Sequence, residues 1–366
     1  MKRALYLAAI AAIGGAIVAE RFSDAAIKDD SKPGAAHAVD RDATTSKNEI
    51  GAELKRSGDE IVACGRLFHT STRVVLWTDP AGYDAYRVER RFAPRDQADW
   101  DATHAQVKAL KHPNRFGLRK AALTETEIER VRGGGWDLDL LRRVVDQFVI
   151  HFDARGTSRG CFETLHDVRG LSVQFLLDLD GTIYQTLDLK EGAWHATKAN
   201  ARSIGIEIAN VGAYPVADRS ILDKWYVKED ERVRIAIPDR LLGNLPRDSL
   251  FGPIRPAAII GEIQDKTLVQ YDITEPQYEA LIKLSAALAT IFPKITLDYP
   301  RDSKGKLVPR KLADDEYNRY HGILGHYHVQ LNKVDQGPAF QWDRLIDGAR
   351  RLKSESPRRP GLIETR

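Results

Sequence analysis

Cysteine is almost missing from this 366-residue chain: there are two, Cys64 and Cys161, and neither lies in a Cys-x-x-Cys pair. This excludes a thiolate-built zinc knuckle and a disulfide-stapled small fold. It leaves two options, a single Cys64–Cys161 bridge tying an N-terminal extension to the main domain, or two buried free thiols. Charge of one sign is scarce as well. Lys and Arg number 55 against 52 Asp and Glu, a net +3 that gives no ground for a nucleic-acid partner. An isoelectric point near 8.7 suits a polyanionic partner such as a cell wall. No internal repeat is present, which excludes a solenoid. What remains, 43% hydrophobic and 29% charged residues, describes a soluble globular protein of one large or two ordinary domains.

The N-terminus has the layout of a secretory signal. Lys2-Arg3 precede an apolar run from Ala4 to Ala19 that ends in small residues and is short for a membrane span. Residues 1–19 are therefore expected to be a signal peptide or an N-terminal anchor, and the chain to be exported to the periplasm or cell envelope. No cysteine follows the run, which argues against a lipid-anchored lipoprotein. Residues 20–57 read as a polar linker and 58–139 as an N-terminal extension without assigned chemistry. The main domain is expected over 140–350 with an insertion at 213–272, and 351–366 as a basic tail.

Within 140–350 the periodicity is that of a compact α/β domain. Phe148, Ile150 and Phe152 alternate with Val149, His151 and Asp153, the pattern of a strand with two different faces. Ser172–Leu179 runs into an Asp180-Gly181 turn and returns as Thr182–Gln185, a hairpin. In Ser203–Asn210, Ile204, Ile206 and Ile208 alternate with Gly205, Glu207 and Ala209; a carboxylate there faces water or a site, since burying it alone is costly. Thr274 and Gln277 form a capping box ahead of a helix whose apolar positions continue to Ile291.

Four residue types with metal-site chemistry are dispersed over these segments. His151, His326 and Asp335 can supply three ligands to a zinc ion that keeps an open position, with Glu207 as base and Lys333 as cation. Taken from the residues alone, a second choice stays open: His326 and His328 can be read as a His-x-His pair with Asp335 a bystander.

Five segments in order carry a resemblance. Val149-Ile150-His151, Asp180 through Gln185, Ala193-Trp194-His195-Ala196, Ser203 through Glu207, and Gly325-His326 followed by Lys333 through Phe340 resemble the zinc-dependent N-acetylmuramoyl-L-alanine amidases of the type 2 family. That family shares its fold with phage lysozyme-type amidases and peptidoglycan recognition proteins. The resemblance implies a mixed central β-sheet flanked by helices and one Zn2+ held by His151, His326 and Asp335. It also implies catalytic roles for Glu207 and Lys333, and substrate binding by Trp194, His195, Asn200 and Arg202. The implied activity is hydrolysis of the N-acetylmuramoyl–L-alanine amide in peptidoglycan or muropeptides. Two other readings of the same fold are a non-catalytic peptidoglycan-binding module and a zinc hydrolase of another amide. The sequence departs from relatives at Phe152-Asp153, at Val173-Gln174 where some members place a tyrosine, at His328, and in a His326–Asp335 loop one residue shorter.

Overall fold

The computed structural model describes residues 50–106 and 110–355. The expected signal segment, most of the linker and the end of the basic tail lie outside the described residues. The chain divides into two units, Met1–Leu54 and Lys55–Arg366, and the second carries the central sheet and its helices.

Eight strands are needed to place the site: β1 (Val74–Leu76), β2 (Gln147–Phe152), β3 (Phe175–Leu177), β4 (Ile183–Gln185), β5 (Ser203–Ile208), β6 (Ile259–Ile263), β7 (Lys266–Gln270) and β8 (Gly322–Gly325). Six of them form one mixed sheet in the order β8-β2-β5-β3-β4-β1. The first four run parallel, β4 returns antiparallel to β3 through the Asp180-Gly181 turn, and β1 lies parallel to β4 at the edge. Gly181 sits at φ +82°, which glycine adopts without the cost a Cβ would bring. The expected mixed sheet with flanking helices is therefore what the chain forms.

Strand alternation decides the two layers. Phe148, Ile150, Ile204, Ile206 and Ile208 point to the face covered by helices α2 (Glu275–Ile291) and α3 (Trp342–Glu355), where they join one apolar cluster with Leu281, Leu284 and Leu345. Each such fully buried side chain contributes about 1.5–3 kcal/mol relative to an exposed one. The opposite face carries His151 and Glu207 and is covered by α1 (Ser158–Phe162), which continues in wider π-type turns to Arg169. The capping box of α2 forms as expected: Gln277 N donates to Thr274 Oγ1, and Thr274 N to Gln277 Oε1. Among the described residues no helix is long and apolar enough to cross a membrane.

Two expectations need correction, and one choice left open is resolved. The stretch 58–139 is not a separate extension, because β1 is the sheet's edge strand and Phe116–Leu118 pairs with Glu191–Ala193. Its Arg119 is fully buried and donates to the carbonyls of Leu189, Asn200 and Ser203 at 3.1, 3.1 and 2.9 Å; burial pushes its guanidinium down to about 10. The cysteines are free: Cys64 lies in a hairpin turn whose amides bind Asp188, whereas Cys161 lies inside α1. The C-terminal helix continues to Glu355, five residues into the expected tail.

Asp178 bears on stability. It is buried at the end of β3, its Oδ1 accepts from the amides of Ser158 and Leu179, and no cation pairs with it among the described residues. Burial pushes its carboxyl up to about 7, against 3.8 in an unfolded chain. A group raised in the fold favours folding fully below its unfolded value, and that favour is lost as pH rises through 7. Asp178→Asn is expected to match the parent's Tm at pH 4 and exceed it by roughly 5 °C at pH 8. Calorimetry at the two pH values checks this; equal Tm differences at both would contradict it.

Candidate metal centre and active site

Parallel pairing brings the site together. In β2 and β5, His151 stands opposite Glu207, and parallel neighbours in register send their side chains to the same face. In β8, Gly325 stands opposite Ile150, so the chain leaves that strand at His326, beside His151. Three far-separated segments thus deliver their side chains to the carboxyl ends of adjacent strands. The loop after His326 turns back through Lys333 and Asp335, and Tyr327 N donates to Asp335 O at 3.0 Å to close it.

Three donor atoms converge there. His151 Nδ1 lies 2.9 Å from His326 Nδ1 and 3.0 Å from Asp335 Oδ2, and His326 Nδ1 lies 3.0 Å from the same oxygen. All three residues are buried. The hydrogen-bond network assigns the protons. His326 Nε2 is 2.6 Å from Gln330 Oε1, an acceptor, so the proton of that ring belongs on Nε2. His151 Nε2 is 2.9 Å from His195 Nδ1, and His195 Nε2 is 3.3 Å from Ser203 Oγ, which itself donates to Ala199 O at 2.7 Å. In that chain each ring donates from Nε2, leaving both Nδ1 lone pairs aimed at each other and at a carboxylate. Three lone-pair atoms packed this closely repel unless a cation lies among them. Two imidazole nitrogens and one carboxylate oxygen are a donor set that suits zinc, with room for a fourth position toward the pocket. The residues present fit the ion.

The electrostatics agree. Burial and then the neighbouring His326 push His151 down to about 4, against the pull of Asp335, so the imidazole is neutral at ordinary pH. Asp335 is held well below the usual carboxylate range despite its burial, so it is ionised at ordinary pH. Glu207 is the opposite case: burial, and after it the Asp335 charge, lift it well above an ordinary glutamate. Its Oε1 is 4.0 Å from His151 Nδ1 and its side chain is 12% exposed.

His328 is not a ligand. Gly325 N donates to its Nδ1 at 2.9 Å and its Nε2 lies 2.8 Å from Val308 O, so both ring nitrogens are already engaged with backbone. This removes the His-x-His alternative.

The donor atoms line a pocket of about 200 Å3 together with His195, Glu207, Lys333, Arg169 and Asp153. Lys333 and Arg169 form no ion pair among the described residues, leaving their charges available to a ligand. His195 reaches the pocket but its ring is occupied as the partner of His151. The space it fills exists because residue 205 is glycine: a Cβ there would stand 2.6 Å from His195 Nδ1.

The other residues expected to bind substrate are elsewhere. Trp194 turns its indole toward Gly117 and His112. Asn200 Oδ1 accepts from the amides of His195 and Ala196, shaping the turn rather than the pocket. Arg202 lies at the amino end of β5, opposite the site, and forms a two-pronged pair with Asp146 at 2.6 Å. None of the three lines the pocket that holds the donor atoms. Conversely, Gln330, Arg169 and Asp153 carried no motif; the one-turn spacing of His326 and Gln330, and the alternation that puts Asp153 on the His151 face, were the signals available.

A buried set of imidazole and carboxylate donors, open on one side toward a carboxyl and an ammonium group, is an arrangement that could hydrolyse a polarised carbonyl. Comparison with known proteins specifies which. A family model described as N-acetylmuramoyl-L-alanine amidase matches residues 141–338, and the chain belongs to that family of enzymes. A comparison with curated proteins gives no match. Among solved structures, the chain is similar to AmiD from E. coli in complex with anhydro-N-acetylmuramic acid-L-Ala-D-gamma-Glu-L-Lys, at 20% identity, 56% of this chain, 57% of that one and TM-score 0.32. A selenomethionine derivative of AmpD matches at 15% identity over 64% of this chain and 89% of that one, TM-score 0.28. The Ph2119 endolysin from the Thermus scotoductus MAT2119 bacteriophage matches at 13%, 56%, 84% and TM-score 0.29.

Proposed function

We propose that this amidase is an exported, zinc-dependent enzyme that hydrolyses the bond between the lactyl carbonyl of N-acetylmuramic acid and the amino group of L-alanine in peptidoglycan. The convergence of His151 Nδ1, His326 Nδ1 and Asp335 Oδ2 within 3.0 Å carries the zinc part of this reading. When bound, zinc supplies Lewis acidity toward the carbonyl oxygen and an adjacent water.

The chain's own residues supply the rest. Glu207, on the strand next to His151, takes the proton of the attacking water and returns it to the leaving amine nitrogen. Burial, and after it the Asp335 charge, raise its affinity for a proton, which favours taking one from the water. Lys333 brings an unpaired ammonium to the pocket rim, where it faces the negative charge that develops on the carbonyl oxygen. Export through the segment from Lys2 to Ala19 belongs to the same reading, since it delivers the enzyme to its polymer.

Digestion of purified peptidoglycan tests the reaction. New N-terminal alanine, detected by amine labelling and mass spectrometry, is the expected product. Release of amino termini on other residues, or binding without any release, would contradict it.

A further inference from the structure

We propose that Gln264, at the tip of the insertion's hairpin, is a positioning residue: its side-chain amide sets the course of the loop from His326 to Asp335, and thereby the placing of two donor atoms. This rests on the metal-centre reading above.

Gln264 and Asp265 form the two-residue turn between β6 and β7, with Ile263 paired to Lys266. Both turn residues have positive φ, +55° and +58°, a conformation that glycine and asparagine adopt readily and that glutamine does not. A non-glycine residue held there is strained, so an advantage elsewhere is needed to explain it.

That advantage is visible in the side chain. Lys311 N, which can only donate, lies 3.1 Å from Gln264 Oε1 and so fixes which end of the amide is oxygen. The NH2 end then faces three carbonyls of the metal loop: Gln330 O at 2.8 Å, Tyr327 O at 3.0 Å and Lys333 O at 3.4 Å. These residues flank His326, the His326 partner Gln330, and Asp335. One half-buried amide thus gathers the beginning, middle and end of the loop. The same hairpin grips the loop's exit a second time. Gln270 donates to Gln336 O at 3.3 Å and accepts from Ala339 N at 3.0 Å, and a Cβ at Gly337 would stand 2.2 Å from Gln270 Oε1. The insertion works here as a clamp on the shorter metal loop.

Gln264→Gly separates positioning from folding, because glycine suits a turn at positive φ while removing the amide. Its Tm is expected to equal or exceed the parent's. In metal-free protein, hydrogen exchange of backbone amides over 326–335 is expected to speed up at least ten-fold. Zinc affinity, measured by competition with a chelator, is expected to weaken about ten-fold, the scale of outer-shell effects on a metal site. Glu262→Ala, an exposed change on the same hairpin, is expected to alter neither. Unchanged exchange in the loop, or faster exchange with unchanged zinc affinity, overturns the proposal. If the parent itself binds no zinc, the metal-centre reading fails instead, and the exchange measurement alone decides whether Gln264 orders the loop.

Discussion

Glu207→Gln is expected to lower kcat by about 10²–10⁴, the range for loss of a general acid–base group, while KM and zinc content stay close to the parent's. The geometry dictates that combination. Glu207 stands 4.0 Å from His151 Nδ1, outside the 3.0 Å triangle of donors, and forms no hydrogen bond among the described residues, so an isosteric amide keeps the architecture. Removing an acid whose proton affinity burial has raised also relieves the fold, so the Tm of the variant is expected not to fall. Steady-state turnover of a soluble muropeptide, with metal content measured on the same sample, checks both halves. Full activity would remove Glu207 from the mechanism, and loss of zinc together with activity would make it a ligand.

Asp335→Ala is expected to abolish zinc binding, weakening it by well over 100-fold, since even outer-shell changes cost 10- to 100-fold. Asp335 Oδ2 is the one negatively charged donor of the triangle and lies 3.0 Å from both imidazole nitrogens. Because an ion that binds only the folded chain raises its stability, a chelator is expected to lower the parent's Tm and to leave that of Asp335→Ala unchanged. Thermal unfolding with and without chelator reads this directly. Retained zinc at parental affinity would move the third ligand to another residue.

The strands that carry the chemistry were legible because one face of each is apolar: Phe148 and Ile150 against His151, and Ile204 and Ile206 against Glu207. What the pattern could not express is adjacency. β8 lies beside β2 although some 170 residues separate them, and parallel pairing leaves no turn signal in the sequence. The same limit applies to residues that lie outside the metal pocket. Asn200 and Arg202 follow His195 closely, yet the turn they form carries the chain away from the pocket to the amino end of β5. β1 could not be assigned to the sheet because its partner β4 lies far along the chain and parallel pairing leaves no turn signal. The second ring nitrogens of the donor histidines were barely legible: His195 becomes the partner of His151 only in three dimensions, and for His326 only the one-turn spacing pointed to Gln330. His328 shows the reverse: an attractive spacing that backbone hydrogen bonds to Gly325 and Val308 had already used.

The central claim is the metal centre, and an anomalous difference map at the zinc edge, from a crystal of the zinc-loaded protein, tests it most directly. The account predicts a single peak at about 2.0–2.2 Å from His151 Nδ1, His326 Nδ1 and an Asp335 carboxylate oxygen, with its fourth position open to the pocket. A peak on His328, coordination through the Nε2 atoms, or no peak in the pocket would contradict it.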